Sequence, residues 1–128
     1  ATTEIYTLSL HDALPILHCV KGSAGWELFG ETAVALHEVG AQGIDKESFG
    51  IDITDPAVAA ALPERADRIE LCGLVSNICV ISNAAVLQSR YPQAQIVVDA
   101  RLTGSFDPVL NEKTLDVLQG LQVEVLGR

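Results

Sequence analysis

The sequence predicts a mixed α/β fold of three layers, in which helices cover both faces of a parallel, Rossmann-like sheet. Short apolar runs typical of buried parallel strands, such as Ile96-Val97-Val98, alternate along the chain with helical patterns. The links between them are short and carry turn residues, as expected when strands follow one another through helical crossovers. A length of 128 residues with 48% hydrophobic content favours a single domain.

The helices are predicted from their apolar spacing and from the residues at their ends. Phe29, Ala33 and Leu36 recur at helical spacing, which predicts an amphipathic helix from about residue 26 to 39 that stops at Gly40. Asp55-Pro56 and Asp107-Pro108 each join a capping carboxylate to a proline at the first helical position. These pairs predict helices over 57–62 and 108–119. Strands are expected over 69–75, 94–100 and 121–126.

One stretch, 71–83, brings a strand, a tight turn and an apolar helix together. Glycine and small polar residues let the backbone bend over 73–77, and a helix from 78 to 90 then places Cys79 in its first turn. The first N–H groups of a helix favour a thiolate and can also hold an oxyanion. Position alone leaves open whether Cys79 is a nucleophile or a buried structural residue. Cys72, in mid-strand, is interpreted as buried and structural.

Charge and cysteine usage exclude several classes of partner. A net charge of −9 argues against nucleic acid and against an anionic membrane surface, because both are bound through clustered lysine and arginine. No apolar run is long enough to span a bilayer. Three cysteines without a C-x-x-C pair indicate neither a disulfide framework nor a zinc ribbon. The thiols are expected to be reduced and the protein cytoplasmic.

The first 16 residues are interpreted as foreign to the domain. Ala1 to Ile16 read as the translation of a common short-read sequencing adapter, and they lack the lysine or arginine that a signal peptide requires. We therefore divide the chain into an artefactual segment, 1–16, and a domain over 17–128. No functional role is expected of the first segment, including Asp12.

Three segments, in order, resemble the isochorismatase-like cysteine hydrolases, the superfamily that includes the nicotinamidases. The run 72–80, Cys-Gly-Leu-Val-Ser-Asn-Ile-Cys-Val, resembles the nucleophile segment of that family. The run 18–25, His-Cys-Val-Lys-Gly-Ser-Ala-Gly, resembles its His-Cys-Val-x-Gly-Thr-x-Gly motif. The run 45–50, Asp-Lys-Glu-Ser-Phe-Gly, resembles the segment with its catalytic lysine. The resemblance extends from His18 to the C-terminus.

The resemblance implies hydrolysis of a C–N bond in a small-molecule amide through a cysteine acyl-enzyme. Cys79 would be the nucleophile, and Lys46 would favour its thiolate electrostatically within an Asp-Lys-Cys triad. The backbone N–H groups of Val75 and Cys79 match the oxyanion-hole positions. Phe49 would contact the substrate, and a cis peptide bond is expected between Leu74 and Val75.

The resemblance also implies features that depend on the region before the lysine segment. His18 matches a position that nicotinamidases use to bind a divalent metal such as zinc, although a lone histidine is more often a loop residue. The triad aspartate and the first strands are expected upstream of His18, where the sequence lacks their motif. The chain as given is therefore expected to be inactive as an amidase. A homo-oligomer is expected.

Two alternatives stay open. Without the family context, Lys46 between two acids would be an ordinary solvated ion pair. The chain as a whole could be a non-catalytic relative that binds small molecules or forms oligomers, although keeping both Cys79 and Lys46 argues against this. One difference concerns the substrate: Ser76-Asn77 stands where nicotinamidases usually carry Thr-Asp.

Overall fold

The computed structural model describes the backbone of residues 5–9 and the whole of residues 20–128. The chain divides into two compact units, Ala1–Pro63 and Glu64–Arg128. All of the strand pairs that the structure describes are parallel, and helices alternate with the strands. This confirms the predicted α/β class with a parallel sheet.

In the first unit, two parallel strands lie side by side. Strand β1, Ile5–Ser9, pairs with strand β2, Gln42–Lys46. Strand β1 falls in the segment 1–16, whose foreign origin this backbone pairing does not test. Strand β2 is not among the strands predicted from the sequence. Only Ile44 and Lys46 of β2 are buried, so the strand lacks the long apolar run that would have predicted it.

Helix α1, Gly30–Glu38, begins four residues later than predicted. Its end agrees with the prediction: Gly40 takes a left-handed φ of +67°, and the N–H of Ala41 reaches back to the carbonyl of Leu36 at 2.9 Å. Phe29, predicted on the buried face, is instead the exposed residue that precedes the first turn. The apolar spacing that included Phe29 therefore placed the start of the helix too early.

Helix α2, Pro56–Ala61, and helix α4, Pro108–Gly120, begin as their Asp-Pro pairs predict. The Asp55 carboxylate accepts hydrogen bonds from the first free N–H groups of α2, at 2.7 and 3.4 Å. Asp107 does the same for α4, at 2.9 and 3.1 Å. Each cap occupies N–H donors that have no partner inside the helix.

The second unit holds a three-stranded parallel sheet in the order β3-β4-β5. Its strands are Arg68–Leu74, Gln95–Gly104 and Glu124–Leu126, so the last is shorter than predicted. Strand β4 lies in the centre, and its run Ile96-Val97-Val98 is almost wholly buried. Helix α3, Ile81–Arg90, buries Ala84 and Leu87 but exposes Ala85, so it is less buried than its apolar composition predicted.

Candidate active site

The segment between β3 and α3 is a helical turn with one extra residue. Val75 has extended backbone angles, and Ser76–Val80 then forms a π turn that runs directly into α3. The Val75 carbonyl accepts from the N–H of Ile78 at 3.1 Å and from the N–H of Val80 at 3.2 Å. Ser76–Arg90 is thus a continuous helical stretch that follows a parallel strand, and it starts two residues before the predicted position 78.

Cys79 lies in this first turn and is half-buried. Its carbonyl accepts a hydrogen bond from the Asn83 side-chain Nδ2 at 3.0 Å, and the Asn83 side chain is almost fully buried. The carbonyl of the candidate nucleophile is therefore tied to the next turn of the helix. A thiol at this place has the aligned N–H groups of a helix start beside it.

Ser76 is a residue whose role the sequence analysis missed. Its side chain is 0% exposed, and its Oγ donates a hydrogen bond to Oδ1 of Asn111 in α4 at 2.6 Å. The two residues are 35 positions apart, so no local pattern connects them. Burial of a hydroxyl predicts that it has a partner, but only the fold shows which one.

The peptide bond between Leu74 and Val75 is cis, which confirms the expectation from the resemblance. Val75 itself is half-buried and directly precedes the π turn. The assignment of the Val75 and Cys79 N–H groups to an oxyanion hole stays a prediction.

Cys72 corrects the sequence analysis: it is exposed, not buried. Strand β3 pairs with β4 through Leu71↔Val98 and then through Gly73↔Thr103, so four residues of β4 bulge out opposite Cys72. Along β3, Arg68, Glu70 and Cys72 are exposed and alternate with the half-buried Ile69 and Leu71. Cys72 therefore lies on the exposed face by the ordinary alternation of a strand, which the sequence analysis did not apply to it.

Within the bulge, Asp99 and Arg101 form an ion pair. The Arg101 Nε and Nη2 atoms lie 2.9 and 2.6 Å from the two carboxylate oxygens, and the Arg101 backbone N–H also donates to Asp99 at 2.9 Å. The side-chain hydrogen bonds from Arg101 lower the pKa of Asp99 to about 2, from an ordinary value of 3.8. The carboxylate is thereby kept ionised through the ordinary pH range.

In the first unit, Lys46 is the last residue of β2 and is only 5% exposed. Its Nζ donates a hydrogen bond to the Ser48 carbonyl at 2.9 Å. Lys46 is therefore buried, not solvated as considered from the sequence alone. Instead, the neighbouring Asp45 pairs with the exposed Lys21. A buried ammonium that ends a parallel strand lies at the edge of a sheet where α/β proteins place their functional groups.

Phe49, the predicted substrate contact, is 50% exposed and follows the Lys46 turn. Its role as a substrate contact stays a prediction. His18, the predicted metal ligand, lies outside the described residues. Over the described part of the chain, no three His, Cys, Asp or Glu side chains gather into a group that could hold a metal ion. The zinc thus stays a prediction.

Comparison with solved structures shows which fold these elements make. The chain matches the crystal structure of a nicotinamidase from Bacillus subtilis with a TM-score of 0.79 and 17% sequence identity, over 97% of this chain and 74% of that one. The chain has the fold of the nicotinamidases. No family model matches the sequence, and a search of curated proteins finds no match.

Two further structures extend the comparison. An isochorismatase-like hydrolase from Alkaliphilus metalliredigens matches with a TM-score of 0.71 and 19% identity, over 97% of this chain and 66% of that one. Yeast nicotinamidase bound to the inhibitor nicotinaldehyde matches with a TM-score of 0.70 and 16% identity, over 88% of this chain and 57% of that one. The fold expected from the resemblance is therefore confirmed.

Proposed function

We propose that this chain carries the nucleophile of a cysteine amidohydrolase that cleaves the C–N bond of a small-molecule amide. The observation that carries the proposal is the place of Cys79: it is half-buried in the helical turn that begins directly after a parallel strand. In α/β folds, ligands bind outside the carboxyl ends of the parallel strands. The similarity to nicotinamidase structures supports the same chemistry.

In the proposed reaction, the Cys79 Sγ attacks the amide carbonyl carbon and forms a tetrahedral intermediate with a negatively charged oxygen. The N–H groups of Val75 and Cys79 stabilise that oxygen. The C–N bond then breaks, the nitrogen takes the proton that the thiol gave up and leaves as ammonia, and a thioester remains on Cys79. Water attacks the thioester, which releases the carboxylic acid and restores the thiol.

Lys46 is proposed to favour the ionised thiol, the role that the resemblance gives it. Its burial supports this proposal, because an ammonium kept away from water exerts a stronger field than a surface one. Phe49 is proposed to contact the substrate, and His18 is proposed to hold a divalent metal, such as zinc, that would supply a Lewis acid beside the substrate. The triad acid is not assigned to any described residue.

Nicotinamide is the proposed first substrate to test, with other small primary amides beside it. Ser76-Asn77 differs from the usual nicotinamidase Thr-Asp, and this is the reason for a panel. No helix among the described residues is long and apolar enough to cross a membrane. The cytoplasmic location and the homo-oligomer stay predictions.

Covalent capture by nicotinaldehyde tests the nucleophile directly. An aldehyde in place of the amide accepts the thiolate and forms a thiohemiacetal, so capture needs the nucleophile but no leaving group. We expect a mass increase of one aldehyde on the intact protein under native conditions, and cysteine variants locate the adduct because a thiohemiacetal is reversible and does not survive digestion. The Cys79→Ala variant should lose the adduct, and the matched Cys72→Ala variant should keep it.

The alternatives make opposite predictions in this experiment. A non-catalytic relative would show no saturable capture, or equal capture by the two cysteines. Ammonia release from the amide panel, measured on the same samples, asks whether the chain as given also turns over. Capture at Cys72 with none at Cys79 would overturn the proposed function.

A further inference from the structure

We propose that Asn111 of helix α4 is a positioning residue for the Cys79 turn, acting through the hydroxyl of Ser76. This inference deepens the proposed function and rests on it only in taking Cys79 as the reactive group. The proposal is based on the 2.6 Å hydrogen bond from Ser76 Oγ to Asn111 Oδ1.

The first step is the burial of Ser76. Its hydroxyl is removed from water, so it cannot exchange Asn111 for a solvent partner without a cost. A bond of this kind restricts the residue to one orientation. Ser76 is the first residue of the π turn, and Cys79 is three residues further along the same turn.

The second step is that Asn111 is itself firmly placed. It lies in the first turn of α4, and its N–H bonds to the carbonyl of the capping residue Asp107 at 2.9 Å. Further along α4, Leu115 and Leu118 are almost wholly buried, which anchors the helix in the core of the second unit. Asn111 therefore transmits the position of α4 to Ser76.

The third step is that the π turn is held from both ends. Ser76 at its start is bonded to α4, and the carbonyl of Cys79 is bonded to the buried side chain of Asn83 in α3. A turn with π geometry is rare and is often found at functional sites. Side-chain bonds at both ends hold the backbone of the Cys79 turn in one arrangement.

The test measures alkylation of Cys79 by iodoacetamide at neutral pH in the full chain, followed peptide by peptide with mass spectrometry. Asn111→Ala and Ser76→Ala should each slow Cys79 alkylation by about threefold to tenfold, the range expected for a neutral hydrogen bond. Alkylation of Cys72 should not change. Because alanine favours helices more than asparagine does, α4 should form in the first variant.

Two controls separate positioning from general loosening. Thr114→Val removes a buried hydroxyl whose bond, among the described residues, lies within α4, to the Leu110 carbonyl, so it should leave Cys79 alkylation within twofold. Ser76→Thr keeps the hydroxyl and should retain the wild-type rate. The double variant Ser76→Ala/Asn111→Ala should be no slower than either single variant, because the two groups share one bond.

Hydrogen exchange over residues 76–80 gives a second measurement on the same variants. It should rise in Asn111→Ala and stay at the wild-type level in Thr114→Val. Equal alkylation in these two variants, or multiplicative effects in the double variant, would overturn the positioning role. Neither result depends on amide turnover. Failure of the proposed function would instead appear as lost specificity for Cys79 in the wild-type chain.

Discussion

The two cysteines of the β3–α3 segment lie seven residues apart and occupy opposite kinds of environment. Cys72 is exposed on β3, opposite a bulge of β4. Cys79 is half-buried in a helical turn whose two ends are held by side-chain hydrogen bonds. Exposure makes a thiol accessible, whereas a helix start makes it reactive. The comparison therefore separates accessibility from reactivity within one short segment.

The largest expected effect comes from replacing the nucleophile itself. Cys79→Ser should abolish nicotinaldehyde capture while leaving the fold intact, since the two side chains are nearly the same size. Cys72→Ser, the matched control, should keep full capture. Mass spectrometry of the intact protein measures both. Retained capture in Cys79→Ser would show that Cys79 is not the reactive cysteine.

The second-largest expected effect is on stability and comes from Gly73, which lies between Cys72 and Cys79 in the sequence. Gly73 has φ of +105° and no atom within 4 Å of where a Cβ would lie, so Gly73→Ala strains the backbone without a clash. We expect it to lower the free energy of unfolding by about 1–2 kcal/mol. Gly120→Ala, which adds a Cβ in equally open space without a left-handed φ, should instead stabilise by up to about 1 kcal/mol. Urea unfolding measures both, and equal effects would disprove the strain argument.

Removal of the buried Lys46 ammonium should lower the alkylation rate of Cys79 and leave that of Cys72 unchanged. Lys46→Met keeps the aliphatic stem and removes the ammonium, and it should slow Cys79 alkylation at neutral pH by about threefold to tenfold. Raising the pH should recover much of that rate. Lys21→Met, which removes an exposed lysine paired with Asp45, should leave the rate unchanged. Slowing of both cysteines together would count against a specific role for Lys46.

The smallest expected effect is a loss of stability in acid, which concerns the Asp99–Arg101 ion pair of β4. Because Arg101 holds the pKa of Asp99 at about 2, the ion pair stabilises the fold fully above pH 3.8 and loses its effect as the pH falls towards 2. Asp99→Asn should therefore be slightly less stable than the wild type at pH 7, and the difference should shrink towards pH 2, where about half of the Asp99 carboxyl groups are protonated. The difference in melting temperature at pH 7 should be only a few degrees, since the Arg101 side chain is 71% exposed. A difference as large at pH 2 as at pH 7 would contradict the assignment.

Local chemistry explains which parts of the structure could be predicted. Asp55-Pro56 and Asp107-Pro108 determined their helix starts because the capping groups and the free N–H donors are neighbours in the sequence. The place of Cys79 followed for the same reason, from a strand, a glycine and a helix in direct succession. The parallel sheet was predicted because strands and helices alternate along the chain.

The remaining features depend on contacts that no local pattern contains. The irregular pairing of β4 opposite Cys72, over residues 99–102, is one of them, whereas the exposure of Cys72 follows the alternation that it shares with Arg68 and Glu70. The bond between Ser76 and Asn111 joins positions brought together only by the packing of α4. Strand β2 was missed because an isolated pair of buried side chains is too short to establish a period of two.

Because the π turn holds one residue more than an α-helical turn, the segment between β3 and α3 should tolerate substitutions better than deletions. Each residue turns a helix by about 100°, so removing one residue from Ser76–Val80 would rotate everything that follows by that angle. The face of α3 that buries Ala84 and Leu87 would then point away from the core. Substitutions in the turn can be absorbed one side chain at a time. A deletion would have to be matched by a second change of length before β4 for the sheet to keep its register.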